Sequence, residues 1–522
     1  MIKLQKISFG LLFIALFIFS CEQEDTTPAV TQGQTEEEIQ KIIPSPEIDQ
    51  IILQSLRESG DFLWMSQSDQ LIWSALVQSD SILTIGYSPA EMETPNSRIG
   101  IESVQSPAWQ ESAQKILGMI SETIERSGAP QLRIGNEFSE IHADLPFLEV
   151  KVVSLEVLQN LRNMEEVRYF EPLSYEFNYT LLNEGSDARY FSDSGCSNDP
   201  ETNLPIVDYS VISPNAKASW NYYQMGISQA WAQSTGDNIT VGLIDTGVSP
   251  NQPLLGGSFQ SGESAPRSIE KFGTYKTGFW WWKRYDGPND QCGHGTAMAG
   301  VISSPRNAVG NAVGVAYDAD LISVRGTSDV IINSGNEKDG VAEALVLLGK
   351  RSDVRIISMS IGDVFSNSKV ADAVRYAYNR GKLIFAAAGT STSFTNWYGV
   401  IFPATMSETV AVTGIKEGSG YQRCNTCHSG SQVDFTVVME RAGSENKPLT
   451  LALSTNDPST VGGSSVATAT ASGIAALLWS KNPAWNRDQV LEQLKTTSDL
   501  YPSRSSQYGW GNLDAGAALG IY

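Results

Sequence analysis

Short apolar runs alternate with helical patterns along the second part of this chain. The runs are NITVGLID, ADLISVRG, VRIISMSI, KLIFAAAG and TVAVTGI, all downstream of about residue 214. Each is short and almost continuously apolar, which is typical of a strand buried on both faces of a sheet. Because parallel strands are joined by helical crossovers, the alternation predicts an α/β fold with a doubly wound parallel sheet over residues 214–522. Ligands of such sheets bind at the carboxyl ends of the strands.

The region before this sheet has a different order of elements. Two helical patterns, EIDQIILQSLRESG and SDQLIWSALVQ, precede the strand-like SILTIGYSP. A helix, a hairpin, a second helix and a strand follow, ending at EVRYFEPLSYEF. This order predicts, within residues 45–178, a helical segment and a small α+β domain of the split βαβ, ferredoxin-like type. Residues 179–213 are rich in turn-forming residues, which predicts an exposed linker that a protease can nick.

The first residues have the composition of an export signal. Two lysines precede an apolar run over residues 7–19, which is short for a bilayer span. The ending IFSC resembles a bacterial lipobox, so we expect a lipoprotein signal peptide over residues 1–20 and a lipid on Cys21. The alternative is an ordinary cleaved signal with a chance cysteine. Residues 21–44 are polar and acidic and predict a flexible tether. The expected location is the bacterial cell envelope or outer surface.

The charge balance limits the partners of the chain. Its 522 residues include 58 Asp and Glu against 36 Lys and Arg, a formal net charge of -22. A field of that sign repels the phosphates of nucleic acids. We therefore expect no nucleic-acid partner.

The cysteines allow two interpretations. If Cys21 carries lipid, an even number remains for an oxidising compartment, which predicts two disulfides in any of three pairings. These residues are Cys196, Cys292, Cys424 and Cys427. The string CNTCH at 424–428 also matches a c-type haem attachment signature. Its flanks have turn and strand patterns, with no helix beside them to surround a porphyrin, so we favour disulfides.

Three polar side chains have the types that nucleophilic catalysis requires. Asp245 ends the apolar run NITVGLID, His294 stands between two glycines, and Ser465 opens a long helical pattern of small residues. The free N–H groups at such a helix start favour developing negative charge. Taken singly, each residue has a structural interpretation as a cap or packing residue. Together they supply a hydroxyl, a base to activate it and a carboxylate to orient the base.

The sequence around these residues resembles the subtilisin-like serine proteases. IDTGV, GHGTAMAG and GGSSVATATASG resemble the three catalytic blocks of that family, and the intervening strands and the closing YGWGNLDAGAAL follow in the family's order over residues 214–522. The order Asp, His, Ser is that of subtilisin rather than chymotrypsin. The resemblance implies a subtilisin-type sheet and a serine endopeptidase working through an acyl-enzyme. In it His294 takes the proton of Ser465 and Asp245 orients the imidazole.

The same resemblance implies the remaining site residues. The family generally carries asparagine after AAAG to bind the oxyanion, and Thr390 stands there in this chain. Threonine donates a hydrogen bond but reaches less far, so Thr390 either substitutes or leaves the enzyme slow. The implied walls of the first specificity pocket are Ser360, Ile361, Gly362, Ala387, Ala388 and Gly389. These walls favour an uncharged side chain, whereas Asp363, turned into the pocket, would favour a basic one.

Upstream, LEVKVVSLEVLQNLRNMEEVRYFEPLSYEF resembles the inhibitory propeptide of the family. This implies a zymogen whose own propeptide is an intramolecular inhibitor, and whose cleavage in the linker separates the catalytic domain from the lipid anchor. The family's calcium loop is matched only loosely, so we expect no clear metal site and no other cofactor, and calcium binding is left open. The expected partners are a protein or peptide substrate, the propeptide and a membrane. The alternative function is a catalytically weak binding or adaptor protein of the same fold, suggested by Thr390.

Overall fold

The computed structural model describes residues 42–126, 139–182, 196, 198–278, 282–390, 399–418 and 420–522. The predicted signal peptide, Cys21 and most of the predicted tether therefore lie outside the described residues. Within the described residues, no helix has both the length and the apolar character needed to cross a membrane.

The upstream elements form a four-stranded antiparallel sheet with helices packed on one face. In chain order they are α1 (Ser45–Ser59), α2 (Asp69–Val77), β1 (Ile82–Tyr87), α3 (Pro107–Arg126), β2 (Ser139–Ile141), β3 (Phe147–Lys151), α4 (Leu155–Leu161) and β4 (Val167–Pro172). The strand order is β2-β3-β1-β4, and all neighbouring strands are antiparallel. The predicted strand, helix, hairpin, helix, strand order is present. Leu83, Ile85 and Leu148 share a core with α3 and α4.

The second part of the chain contains the remaining elements. They are β5 (Tyr209–Ile212), β6 (Ala216–Ser219), α5 (Asn221–Gln224), α6 (Ile227–Ala230), β7 (Thr240–Asp245), β8 (Ile269–Gly273), β9 (Lys276–Thr277), β10 (Arg284–Tyr285), α7 (His294–Ser303), β11 (Asp320–Arg325), α8 (Gly335–Lys350), β12 (Val354–Met359), α9 (Ser368–Asn379), β13 (Leu383–Ala387), β14 (Val410–Lys416), β15 (Phe435–Glu440), β16 (Leu449–Leu451), β17 (Pro458–Thr460), α10 (Gly463–Lys481), α11 (Arg487–Thr496) and α12 (Ala515–Ala518).

Seven of these strands form one parallel sheet between two layers of helices. Their order is β15-β14-β13-β12-β7-β11-β8, and every neighbouring pair is parallel. Successive residues of β7 face opposite layers: Leu243 packs with α7 and α10, and Ile244 packs with α8 and α9. Burial on both faces explains why these strands are continuously apolar. The predicted doubly wound α/β sheet is confirmed, and the edge strand β8 is an addition to it.

Residues 198–213, in the range predicted to be an exposed linker, are mostly exposed but are attached to the rest of the chain at several points. Asn198 and Asp208 are buried, and β5 pairs with β6. Asp208 Oδ1 accepts a hydrogen bond from Arg441 Nε at 3.0 Å. Polar residues in a turn-rich sequence are here buried against partners that come from distant parts of the chain, which composition alone does not show.

The upstream sheet buries its second, polar face against α8 and α9. Glu149, Tyr169 and Glu171 alternate with core residues along β3 and β4 and are buried on this face. Lys369 Nζ donates to Glu149 Oε1 at 2.5 Å. Glu171 accepts from the backbone N–H of Ser368 at 3.1 Å, at the first residue of α9. A carboxylate at a helix N-terminus is favoured by the helix dipole and satisfies a free N–H group.

One buried ion pair in this interface gives a stability prediction. Arg168 donates to Asp372 through two nitrogens, at 2.8 and 2.6 Å, and Asp372 is 0% exposed. Arg168→Ala removes that partner and should lower the free energy of unfolding by about 3 kcal/mol, because a buried charge is left undercompensated. Denaturant unfolding of the full chain measures this change. Arg126→Ala, in the exposed pair with Glu156, is the matched control and should change stability little. Equal effects in the two variants would contradict the prediction.

Candidate active site

Asp245 ends an inner strand of the large sheet at its carboxyl edge. Its side chain is fully buried, and Oδ1 lies 2.8 Å from His294 Nδ1. The same oxygen accepts the backbone N–H of Thr246 at 2.8 Å. A carboxylate removed from water needs such partners, and the imidazole is one of them. The structure therefore brings together two of the three residues singled out in the sequence.

The glycines on either side of His294 have separate structural reasons. Gly293 precedes α7 with φ of 101°, a left-handed conformation that favours glycine. Its N–H donates to Asp290 Oδ1 at 2.7 Å, which fixes the turn. A Cβ atom on Gly295 would lie 2.2 Å from the carbonyl oxygen of Gly247. The backbone thus turns sharply at one glycine and approaches the strand end closely at the other, which places the imidazole beside Asp245.

Two opposing effects set the proton affinity of His294. Burial lowers its pKa, whereas the negative charge of Asp245 and the hydrogen bond to it raise the pKa, and the net result lies above the ordinary value of 6.5. Because Nδ1 is engaged by Asp245, the proton of the neutral ring sits on Nδ1 and Nε2 has the free lone pair. The imidazole is thereby prepared to accept a proton at Nε2.

Ser465 lies in the first turn of α10 and faces the same cavity as His294. The cavity has a volume of about 340 Å³, and both side chains are part of its wall. Ser465 Oγ donates to the backbone oxygen of Ser360 at 3.3 Å. In this structure the hydroxyl is therefore directed at a backbone carbonyl while it remains in the cavity that the imidazole faces.

The residues expected to wall the specificity pocket divide into two groups. Five of the six line the cavity: Ser360, Ile361, Gly362, Ala387 and Gly389. The expectation for Ala388 is wrong, because it is 0% exposed and packs in a separate core cluster with Val400 and Ala404. Successive side chains of an extended segment point to opposite sides, so Ala387 faces the cavity and Ala388 faces away from it.

Thr390 lies at the cavity and is linked to the start of α10. Its Oγ1 accepts the backbone N–H of Ser464 at 2.9 Å and lies 2.9 Å from Ser464 Oγ. Ser464 Oγ in turn accepts the N–H of Gly389 at 3.1 Å. A hydroxyl has one hydrogen and two lone pairs. When Ser464 donates to Thr390, both lone pairs of Thr390 are used and its own hydrogen is left to donate elsewhere.

Sequence reasoning missed a residue of the upstream part that reaches this cavity. Tyr179 is part of the cavity wall, and its hydroxyl donates to Asp363 Oδ1 at 2.6 Å. Its neighbour Phe177 packs edge-on against Phe365, with ring centroids 5.1 Å apart. Asp363 does line the cavity, and burial raises its pKa to about 7. The alternating aromatic residues of YEFNYT are a sequence signal that could have indicated a packed segment here.

The four remaining cysteines form two disulfides, as predicted. Cys196 is bonded to Cys292 and Cys424 to Cys427. The second bond argues against the haem interpretation, because thioether attachment needs both of those sulfurs. His428, which follows them, is buried with Nδ1 2.9 Å from the carbonyl oxygen of Gly399. Burial lowers its pKa to about 4, so the ring is neutral at neutral pH.

Within the described ranges, no group of three or more His, Cys, Asp or Glu side chains is arranged to hold a metal ion.

Comparison with known proteins gives relatives that match more than half of the chain. The minor extracellular protease Epr of Bacillus subtilis is 29% identical over 314 residues, which are 58% of this chain and 43% of Epr. Subtilisin E of Bacillus subtilis is 29% identical over 311 residues, 56% of this chain and 70% of that protein. The match to Epr thus spans less than half of that relative.

A solved structure shares the fold. Fervidolysin from Fervidobacterium pennivorans, a keratinolytic enzyme related to subtilisin, superposes with a TM-score of 0.55 and 17% identity, covering 84% of this chain and 60% of that one. The family model described as Subtilase family, peptidase S8, matches residues 236–511, which is more than half of the chain. That range contains Asp245, His294 and Ser465. The chain therefore belongs to the subtilase family.

Proposed function

We propose that the chain is an exported serine endopeptidase that hydrolyses peptide bonds through Asp245, His294 and Ser465 and is made as a zymogen. The contact between Asp245 Oδ1 and His294 Nδ1 at 2.8 Å carries this proposal, together with the cavity that both His294 and Ser465 line. A hydroxyl is a weak nucleophile until a base removes its proton, and a base is effective only when a third group holds it. Family membership supports the same chemistry.

The proposed reaction begins with a rotation of the Ser465 hydroxyl away from the Ser360 carbonyl and toward His294 Nε2. The hydroxyl oxygen attacks the peptide carbonyl while Nε2 accepts its proton, and Asp245 stabilises the imidazolium that forms. The tetrahedral intermediate then expels the amine, which takes the proton from Nε2, and an acyl-enzyme on Ser465 remains. Water, activated by the same imidazole, attacks the ester and restores the serine.

The oxyanion of the intermediate needs donors that are already in place. The start of α10 presents free backbone N–H groups and the positive end of the helix dipole next to Ser465. We assign Thr390 as the side-chain donor: with the Ser464 hydroxyl donating to it, both lone pairs of Thr390 Oγ1 are used and its hydrogen is left to donate. The hydrogen bonds to Ser464 thus fix Thr390 next to the start of α10.

The upstream part is proposed to act as an intramolecular inhibitor. Tyr179 lies in the wall of the cavity and donates to Asp363, so the segment after β4 occupies space that a substrate needs. The polar interface of Glu149 and Glu171 with α9 holds the upstream sheet against the catalytic part. Cleavage in the connection after residue 182 would free the cavity. The expected specificity-pocket residues that line the cavity are small or apolar, and Asp363 adds a carboxyl group beside them.

Export and lipid anchoring remain proposals from the sequence. The signal peptide and Cys21 lie outside the described residues. Two disulfides in the described chain fit an oxidising compartment outside the cytoplasm. The relative named as an extracellular protease supports the same location.

Replacement of the nucleophile tests self-processing. Ser465→Ala removes the hydroxyl that attacks in the proposed reaction, so the variant should keep every residue after the predicted signal peptide and should hydrolyse no peptide. Ser480→Ala, at the far end of the same helix, is the matched control and should be processed as the wild type is. Intact mass and N-terminal sequencing of the purified proteins measure the outcome. Normal maturation of Ser465→Ala would refute autocatalysis.

The pH dependence tests the role of Asp245. The base must be neutral to act, so kcat/KM should fall as the pH falls through the pKa of His294, which Asp245 raises. Asp245→Asn removes the charge that raises this pKa, so the acid limb of the profile should move to lower pH. Turnover should also fall by about 10⁴-fold, because the imidazole loses its orienting partner. An acid limb at the same pH in both proteins would show that His294 is not the titrating base.

Thr390 is tested by one substitution that removes its hydroxyl and one that keeps it. Thr390→Val keeps the shape and removes the hydroxyl, and should lower kcat by about 10²-fold with KM little changed, since the donor acts on the transition state. Thr390→Ser retains the hydroxyl and should keep most of the activity. Steady-state kinetics on a soluble peptide substrate give both constants. Full activity of Thr390→Val would remove Thr390 from the oxyanion site.

A further inference from the structure

A short segment of the connection crosses the wall of the active-site cavity. It comprises Cys196 and residues 198–201, and is called the strap below. Cys196 and Asn198 both line the cavity. One end of the strap is bonded through Cys196 to Cys292. Cys292 is two residues before His294 in the chain, so a covalent bond joins the strap to the turn that presents the imidazole.

The body of the strap is fixed to the β16–β17 hairpin. Asn198 Nδ2 donates to the carbonyl oxygen of Leu451 at 2.6 Å, and the N–H of Leu453 donates to the oxygen of Asn198 at 3.0 Å. The N–H of Glu201 donates to the oxygen of Pro458 at 2.8 Å. β17 ends at Thr460, only a few residues before α10 begins. The hairpin therefore leads directly to Ser465.

The turn before His294 is thus held from two directions. On the strand side, Asp290 accepts from Gly293 N–H and from Thr246 Oγ1, at 2.7 and 2.9 Å. On the hairpin side, Asn198 lies against the same turn, since a Cβ atom on Gly293 would be 3.0 Å from Asn198 Cβ. The first set of contacts fixes the position of His294 relative to the end of β7. The strap fixes its position relative to the β16–β17 hairpin, which precedes Ser465.

We propose that the strap and the Cys196–Cys292 disulfide are a positioning device that holds His294 in register with Ser465 in the cleaved protein. This inference rests on the proposed peptidase function. On this proposal, the disulfide is required for turnover and is more than a general stabiliser of the fold. A dithiol reductant should therefore lower the activity. The two cysteines are positioning residues, because they act through His294 and do not touch the reacting atoms.

The covalent bond matters because of where the chain is cut. Cleavage between residues 182 and 196 leaves the strap close to a new, free amino end. The net free energy that one hydrogen bond contributes to stability is no larger than the conformational-entropy cost of ordering one residue. Hydrogen bonds alone therefore hold a segment with a free end poorly. The disulfide keeps the strap on the turn after cleavage, as a link that the cut cannot remove.

Reduction gives the direct test in the wild-type protein. A dithiol transfers two electrons and two protons to the Cys196–Cys292 bond, leaving two cysteine thiols and the cyclic disulfide of the reductant. Cys196 is partly exposed in the cavity wall, so a small dithiol can reach the bond. We expect kcat of the processed protein on a chromogenic peptide to fall tenfold or more, since about 1 Å of displacement can cost about 10²-fold. KM should stay within about twofold, and reoxidation should restore kcat.

The double variant Cys196→Ser with Cys292→Ser assigns the effect to this bond. It should have the low kcat without reductant and should not respond to dithiol. Asn198→Ala keeps all cysteines and loses only the side-chain contact with Leu451, so it should lower kcat by a smaller factor. Thr202→Ala, on an exposed residue just beyond the strap, is the control and should leave kcat unchanged. Thermal unfolding of each protein shows that the comparison is made on folded material.

The outcomes separate this inference from the function on which it rests. A wild-type protein that hydrolyses peptide, together with a folded double variant of unchanged kcat, overturns the positioning role and leaves the peptidase intact. Equal loss with dithiol in the wild type and in the double variant also overturns it, because the Cys424–Cys427 bond is then responsible. If the double variant does not fold, reversible loss of kcat in the folded wild type supports the role and insensitivity to dithiol overturns it. A wild type without hydrolysis overturns both proposals.

Discussion

The contact between Asp245 and His294 is made where both side chains are shielded from water. At low local dielectric, a carboxylate next to an imidazole stabilises the imidazolium strongly, while burial of the ring opposes its protonation. The balance places the pKa of His294 above its ordinary value. Much of the surrounding backbone serves this contact: β7 ends at the carboxylate, Gly293 allows the turn, and Gly295 lets α7 approach the strand end. A change in any of these would move the base.

The upstream part is attached by buried charged side chains in addition to apolar contacts. Lys369 and Glu149 are buried together, and Glu171 meets the start of α9. Buried ion pairs contribute little net stability compared with apolar contacts, yet they require one orientation of the two parts. Such an interface is consistent with the inhibitory role proposed above, in which the upstream part binds in one orientation and leaves after cleavage. Tyr179, at the end of this part, then reaches the cavity because the sheet before it is held in place.

The sequence was sufficient for the large features and insufficient for several local ones. The continuously apolar strands predict the parallel sheet because burial on both faces leaves a pattern in the sequence. The edge strand β8 is half-buried and leaves none. Asp245, His294 and Ser465 could be singled out as candidates from residue types and motif order, whereas Ala388 was misplaced because the direction of its side chain depends on the alternation along one segment. The pairing of Cys196 with Cys292, 96 residues apart, depends on the tertiary fold, and so do the buried partners of Glu149 and Glu171.

The central claim is that the structure makes the hydroxyl of Ser465 a nucleophile. Its most direct test is the reaction of the folded, processed wild-type protein with a fluorophosphonate, followed by mass-spectrometric mapping of the adduct. The account predicts a single adduct on the peptide that contains Ser465, and no adduct after the protein has been unfolded. Absence of labelling under conditions in which a known subtilase reacts would contradict it and favour the binding or adaptor function, and an adduct on another residue would contradict it as well.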